Sequence, residues 1–351
     1  MLIIRPLNQA DLENLFELLQ DSGHGLTNLP KDRKVLTEKI ATSTESFAQT
    51  NKKPQGELYL FGLEATHLKK IIGVCGIISK IGGFEPYYFY SIHSEKNYSK
   101  LIDSENTIST MNLEKIHSGP AEICSLFLSP KHRSSHAGRF LSLSRFLFMA
   151  EHPEYFEDEV IAEMRGKVDD NGESPFWNAV GSKFINLTFL EADFLTLKSK
   201  SFIEDLFPKH PILIDLLPNE AKDVIGEVHP NTIGARRILE KEGFSYKNRV
   251  GILEPGPLLE ANTKEIRVFK ESKILSVSEI QLDDQDFSEE LFLVANTKKN
   301  ERFIMGLSRI KIKDSQVTLN KQTALSIGVS EGDKVRISSL IPSKVARQLE
   351  L

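Results

Sequence analysis

Ala121-Glu-Ile-Cys-Ser-Leu-Phe-Leu128 is followed by Ser129-Pro-Lys-His-Arg-Ser-Ser-His136, and then by Ala137-Gly-Arg-Phe-Leu-Ser-Leu-Ser-Arg-Phe-Leu-Phe-Met-Ala150. The first block is a short apolar run that ends before Pro130, the pattern of a buried strand. The last block predicts a helix over Phe140–Ala150. Between them lies a loop rich in Lys, His, Arg, Ser and Gly. A helix N-terminus offers unpaired backbone N–H groups and the positive end of its dipole, which together attract an anion. Gly138 lets the backbone come close to a phosphate. Arg133 and Arg139 add charge and forked donors, and Ser134 and Ser135 complete the candidate contacts. His132 and His136 are four apart, but in a loop that spacing does not suit a metal, and no third ligand pattern accompanies them.

On both sides of this stretch, strands and helices are expected to alternate. Met1–Arg5 reads as a strand, and Leu12, Leu15, Leu18 and Leu19 mark one face of a helix. A glycine-rich loop, Gly23-His-Gly-Leu-Thr-Asn-Leu-Pro30, precedes a second helix near residues 31–48. Leu58–Leu63 and Ile71–Ser79 are strands. Ser91–Ser118 is polar and weakly periodic, and is expected to be irregular with one short strand. Glu159–Gly166 is another strand. Ser174-Pro175-Phe176-Trp177 opens a helix, with serine as cap and proline in the first turn. Asn231–Glu242 is a helix stopped by Gly243. This alternation predicts an α/β or α+β domain. Beyond residue 262 the texture changes to short apolar alternations at Ile266–Phe269, Leu291–Val294, Phe303–Leu307, Ile310–Ile312 and Val335–Ile337. These predict a small β-barrel or sandwich. With a boundary at 256–265, the expected domains are residues 1–260 and 261–351.

A net charge of −5 and a pI near 6.1 exclude a global basic field for nucleic acid, so an anion site must be local. Cys75 and Cys124 each sit in an apolar run and read as small buried residues. There is no signal-peptide pattern and no apolar run long enough for a membrane span. A cytoplasmic protein with neither membrane nor nucleic-acid partner is expected, with no metal and no tightly bound cofactor.

The strand–loop–helix resembles the acyl-CoA pyrophosphate loop of the GCN5-related N-acetyltransferase superfamily, with one residue more before the glycine and one glycine rather than two. A closer resemblance is to the arginine N-succinyltransferases. It rests on Gly25-Leu-Thr-Asn-Leu-Pro30, Glu122–Leu128, Gly138–Ala150, Ala162-Glu-Met-Arg-Gly166, Ser174-Pro-Phe-Trp177, Phe202-Ile-Glu204 with Pro208-Lys-His-Pro-Ile212, and Val224-Ile-Gly-Glu-Val-His-Pro230. These runs occur in the family's order over residues 1 to about 260. The resemblance implies an α+β fold, a mixed sheet flanked by helices like that of the GCN5-related N-acetyltransferases, followed by a small C-terminal β-barrel-like domain. It implies transfer of succinyl from succinyl-CoA, as co-substrate, to L-arginine, the first step of an arginine-degrading route. It also implies His229 as proton donor and Leu126 as a succinyl-CoA contact, with Leu128 on the same strand. Assembly with further copies or with a paralogous chain fits the family. Two departures, at Asn231–Arg236 and at Ile252–Pro257, where Glu254 replaces a usual Asp, bear on arginine against ornithine. Acyl transfer to another amine, or a non-catalytic amino-acid sensor, are the competing readings.

His229 lies at a strand end before a helix, and an imidazole exchanges protons near neutrality; the competing role is a capping or packed histidine. Glu122 is the candidate base, since strict alternation would put Glu122, Cys124, Leu126 and Leu128 on one face. The succinyl carboxylate demands a cation when buried, and Arg165 is the candidate. The substrate guanidinium demands carboxylates, with Glu163, Glu227 and Glu254 in reach of that role. Trp177 is the candidate stacking residue, with a place in the core as the competing reading.

Overall fold

A computed structural model describes residues 1–22, 26, 28–49, 53–133, 136–169, 171–282, 287–298 and 302–342. Most of the glycine-rich loop (Gly23, His24, Gly25 and Thr27), as well as Ser134 and Ser135, lies outside the described residues. The strands in chain order are β1 Leu2–Pro6, β2 Leu58–Ala65, β3 Lys70–Ile78, β4 Tyr87–Ser99, β5 Ser104–Ile116, β6 Ala121–Leu128, β7 Glu159–Glu163, β8 Ile212–Leu213, β9 Ser245–Val250, β10 Pro257–Asn262, β11 Lys273–Gln281, β12 Phe292–Asn296, β13 Met305–Ser308, β14 Lys311–Lys313, β15 Gln316–Asn320 and β16 Lys334–Ser339. The fold is α+β. The chain forms two compact units, one of Met1–Ser79, Ile123–Asp158 and Asn262–Leu351, the other of Lys80–Glu122 and Glu159–Ala261.

In the first unit the strand order is β14-β15-β11-β16-β12-β13-β1-β2-β3-β6. The sheet is mixed: β11 runs parallel to β15 and antiparallel to β16. The C-terminal strands join the N-terminal ones through β13, which pairs with β1 by Ile3↔Gly306 and Ile4↔Met305. The helix Ala137–Glu151 is buried on every side over Phe140–Ala150, with Ser142, Ser144 and Arg145 among the buried residues, the expected position of a helix in a core rather than on a surface. Gly73 on β3 makes room for it: a Cβ there would lie 2.9 Å from Leu141 and 3.1 Å from the carbonyl of Phe127. At the other end of the helix Glu151 accepts from Nε of Arg336 on β16 at 2.7 Å. Ile266–Phe269, expected as a strand, is instead part of the helix Arg267–Glu271 and the turn before it. Four residues cannot separate a period of 2 from one of 3.6, and here Ile266 and Val268 are buried while Arg267 reaches Glu271 across one helical turn.

In the second unit Ala121 and Glu122 of β6 pair in parallel with Val160 and Ile161 of β7, and the order continues β7-β10-β9-β4-β5-β8. Ser91–Ser118, expected to be irregular, is most of a long β4–β5 hairpin in register from Tyr87↔Ile116 to Ser99↔Ser104. Its outer half is exposed. With no buried face it carries no hydrophobic alternation, and the backbone ladder holds it without one. A core of Tyr90, Met111, Phe176, Trp177, Phe207 and Val250 packs beneath it.

Candidate active site

The second unit gathers charged side chains around Arg165. β7 ends at Glu163, and Met164 donates to the carbonyl of Pro257 at 3.1 Å. The chain then runs against the turn that carries Glu254. Added methyl groups measure how tight that meeting is. A Cβ at Gly256 would fall 2.0 Å from the carbonyl oxygen of Met164, and one at Gly166 would lie 2.8 Å from the Gly256 nitrogen. A Cβ at Gly251 would be 2.6 Å from Oε1 of Glu163. Only glycine lets these backbones close around the acids.

Val228 makes an antiparallel bridge with Gly166, and the His229 N–H donates to the Arg165 carbonyl at 2.8 Å. Pro230–Thr232 then forms a helical turn leading to the helix Ile233–Lys241. Nδ1 of His229 accepts the Asn231 N–H at 3.1 Å, so His229 does cap this helix. It also fixes the tautomer: Nδ1 is the acceptor, and the neutral ring carries its hydrogen on Nε2. Burial and the nearby Arg165 charge push the imidazole below its ordinary value of 6.5, leaving it neutral at pH 7.

Glu163 accepts a hydrogen bond from the Tyr87 hydroxyl at 2.6 Å. Burial, the charges of Glu163 and Glu122 and this hydrogen bond hold Tyr87 well above the usual phenol range, so it stays a neutral donor. Lys200 lies over the Tyr87 ring, 5.1 Å from its centroid. Glu122 is itself buried at the start of β6. Burial pushes Glu254 up to about 8, with Arg165 and the Gly166 amide opposing and Asp193 and Glu163 reinforcing. Asp193, on the helix Phe189–Thr196, is raised to about 7 by burial and by Glu163, again against Arg165. The buried Oε2 of Glu254 and the buried Nε of Arg165 have no hydrogen-bond partner among the described residues.

Of the sequence candidates, the second unit thus brings together Glu122, Glu163, Arg165, Glu254 and His229. Glu227 stands apart, exposed and 3.4 Å from Lys167. Trp177 is a core residue rather than a stacking surface: it is fully buried, its Nε1 donates to the carbonyl of Leu187 at 2.9 Å, and its ring lies on Gly181. Asp193 and Tyr87 were not foreseen. The available signals were an acid set among apolar residues in Phe189-Leu-Glu-Ala-Asp-Phe194 and the aromatic run Tyr87-Tyr-Phe-Tyr90.

The first unit holds the loop candidates. Ser125 has φ of +55° in the middle of β6. A left-handed residue inside a strand breaks the ladder and the alternation of faces, so Leu126 and Leu128 do not continue the phase of Glu122 and Cys124; this corrects the single face expected of the strand. Leu126 and Leu128 are half-buried. After the turn Pro130–His132, Arg133 is exposed. Among the described residues the helix Ala137–Glu151 begins without a side-chain cap, and a helix start of this kind suits an anionic acceptor. Gly138 has only Leu128 within 4 Å of a Cβ, at 3.8 Å, and Arg139 is half-buried beside it.

Residues 2–268 match the family described as arginine N-succinyltransferase beta subunit. The chain belongs to the arginine N-succinyltransferase family. It is 38% identical to the arginine N-succinyltransferase of Yersinia pestis (strain Pestoides F), covering 99% of this chain and 100% of that one. Identity to the Escherichia coli (strain 55989 / EAEC) enzyme of the same name is 37%, over 97% and 98% of the two chains. Subunit AI of the Pseudomonas aeruginosa arginine/ornithine succinyltransferase superposes with a TM-score of 0.87 at 32% identity, covering 97% of this chain and 99% of that one. The chain is an acyltransferase of this family, and its mixed sheets flanked by helices match that solved structure. Among the described residues, no helix is long and apolar enough to cross a membrane.

Proposed function

We propose that the chain transfers succinyl from succinyl-CoA to the α-amino nitrogen of L-arginine, releasing CoA and N2-succinyl-L-arginine. The observation that carries this reading is His229, tied through its backbone to Arg165 in the midst of Glu163, Asp193 and Glu254. That is an imidazole next to groups suited to a cationic amino acid. The α-ammonium first gives a proton to a base, for which Glu122 is the candidate. The free amine attacks the thioester carbon, the C–N bond forms and the carbonyl oxygen becomes an oxyanion. Backbone amides around the Ser125 bulge are suited to receive it. On collapse the C–S bond breaks and its electron pair goes to sulfur.

His229 is neutral in the free enzyme, so its first contribution is a hydrogen bond from Nε2 to the departing sulfur. The nitrogen sheds one proton on becoming an amide, and the sulfur gains one, so the exchange needs no external acid. With Nδ1 held by the Asn231 N–H, the ring serves as the Nε2 donor that stabilises the thiolate until that proton reaches it. No covalent enzyme intermediate is required.

The helix start at Ala137–Arg139, with Arg133, Ser134 and Ser135, is proposed to hold the CoA diphosphate, and Leu126 and Leu128 the acyl-pantetheine arm. We assign the chemistry to residues 1–260, in a fold of the GCN5-related N-acetyltransferase kind. The name of the Pseudomonas relative covers ornithine as well as arginine, which makes ornithine the second acceptor to try. The test is thiol release from succinyl-CoA across a panel of amino acids, with acetyl-CoA in parallel. Release should be fastest with arginine and succinyl-CoA. Equal kcat/KM for acetyl-CoA would remove the succinyl assignment, and no release with arginine would remove the reaction.

A further inference from the structure

We infer that Glu254 and Asp193 form the subsite that receives the cationic side chain of the acceptor amino acid, and that the site trades a bound proton for that cation. This rests on the acyl-transfer reading above and adds to it the residues that select the acceptor.

Glu254 is carried on a turn pressed against the end of β7, where Gly166, Gly251 and Gly256 leave no room for a side chain between the acids and the backbone. The Gly166 amide favours the charged form of Glu254. Oε2 of Glu254 is buried and has no hydrogen-bond partner among the described residues, and the same is true of the Arg165 Nε. A buried carboxylate oxygen without a donor is costly to maintain, and such groups are usually satisfied in the working complex. Among the described residues, the charge of Arg165 acts on Asp193, Glu254 and His229, that of Glu163 on Asp193, Glu254 and Tyr87, and that of Glu122 on Tyr87. Three acids against one guanidinium leave the cluster short of positive charge.

At neutral pH that shortage is made up by protons. Asp193 titrates near 7 and Glu254 near 8, both because burial disfavours the second and third charges. A guanidinium or ammonium entering here offers the missing donors to Oε2 and supplies the missing charge, so the shared proton leaves. A neutral side chain of the same shape offers donors without charge and displaces no proton. The cluster therefore distinguishes arginine from citrulline by charge, and its affinity for arginine rises as pH increases from about 6 to about 8.

The test is calorimetric titration of the full chain with L-arginine and with L-citrulline, in buffers of different ionisation enthalpy. The wild type should release about one proton per arginine bound at pH 7 and none with citrulline. Glu254→Gln and Asp193→Asn should each weaken arginine at least about tenfold, the scale of a lost charged hydrogen bond, and lower proton release. Glu254→Asp should restore part of both. Succinyl-CoA affinity and melting temperature, measured on the same preparations, show that each variant is folded. Folded Glu254→Gln and Asp193→Asn proteins that bind arginine within twofold of wild type, with unchanged proton release, overturn the subsite while leaving acyl transfer intact. A wild type that neither binds arginine nor releases CoA with it overturns the reaction itself, and the subsite with it.

Discussion

The backbone N–H of His229 is bonded to the carbonyl oxygen of Arg165 at 2.8 Å, so the imidazole and the guanidinium share one short piece of backbone. A shift in either strand end moves both groups. Burial, and after it the charge of Arg165, keeps the ring neutral. Substitutions at Arg165 should therefore disturb the protonation of His229 as well as the acidic cluster.

Glu254 sets a cost on stability with a definite direction. Its carboxyl is raised from 4.5 to about 8 in the folded protein. As pH climbs through that window the unfolded chain gives up the proton while the folded chain keeps it, so stability falls with rising pH and levels off above about 8. Glu254→Gln removes the group. The variant should gain in melting temperature relative to wild type between pH 5 and 8, roughly in step with pH, while losing function. A melting-temperature difference that stays constant over this range contradicts the raised carboxyl.

The anion loop should govern affinity rather than turnover. Arg133→Ala and Arg139→Ala remove donors proposed to lie on the CoA diphosphate, far from the thioester. Such contacts serve the ground state and the transition state alike. A charged hydrogen bond is worth about 1.5–3 kcal/mol, so KM for succinyl-CoA should rise about tenfold or more for a direct contact, with kcat little changed. Wild-type KM in both variants would exclude the loop as the cofactor site.

Ser125 tests the bulge. With φ at +55°, a β-branched side chain is strained there by about 1–2 kcal/mol while glycine is at ease. Ser125→Val should lower the melting temperature, and Ser125→Gly should not. Since the bulge is proposed to present amides to the thioester, Ser125→Val should also depress kcat. Equal stability in the two variants would show that the left-handed backbone is not held by the fold.

Much of this arrangement was legible in the residues. The apolar run Ala121–Leu128, its stop at Pro130 and the helix after it follow from patterning alone, and the cap at Ser174 was readable from Ser-Pro-Phe-Trp. What was not legible has physical causes. The bulge at Ser125 is a backbone choice that serine does not announce. The β4–β5 hairpin is solvated along its outer half, so no apolar period marks it. Glu163, Asp193 and Glu254 meet only because β7, the Phe189–Thr196 helix and the Glu254 turn converge, and no spacing in the sequence records that. Whether Trp177 stacks on a ligand or fills the core depends on its indole N–H, which donates to the carbonyl of Leu187.

His229 offers the sharpest test of the chemistry. Its Nδ1 is occupied by the Asn231 N–H, and its lowered affinity for a proton leaves the free enzyme with a neutral ring and a donor at Nε2. His229→Ala should lower kcat and leave succinyl-CoA affinity nearly unchanged. General acid–base groups contribute about 10²–10⁴-fold, and because a thiol ionises near ~8.5 the lower end applies. His229→Gln separates two parts of the role. An amide can hydrogen-bond to the sulfur but does not titrate near neutrality, so Gln should recover the hydrogen-bonding part of the role and none of any acid–base part. The pH profile adds a second reading. If the neutral ring is the working form, kcat/KM for arginine should fall on the acid side with an apparent pKa below 6.5, and that limb should vanish in His229→Gln. A purely capping histidine predicts something else: a drop in melting temperature of about the size of a lost cap, up to ~2 kcal/mol in stability, with kcat preserved in the folded fraction. Measured together on one preparation, kcat, succinyl-CoA affinity, the acid limb and the melting temperature decide between them. A folded His229→Ala protein within about threefold of wild-type kcat falls short of any acid–base contribution and would take the imidazole out of the reaction.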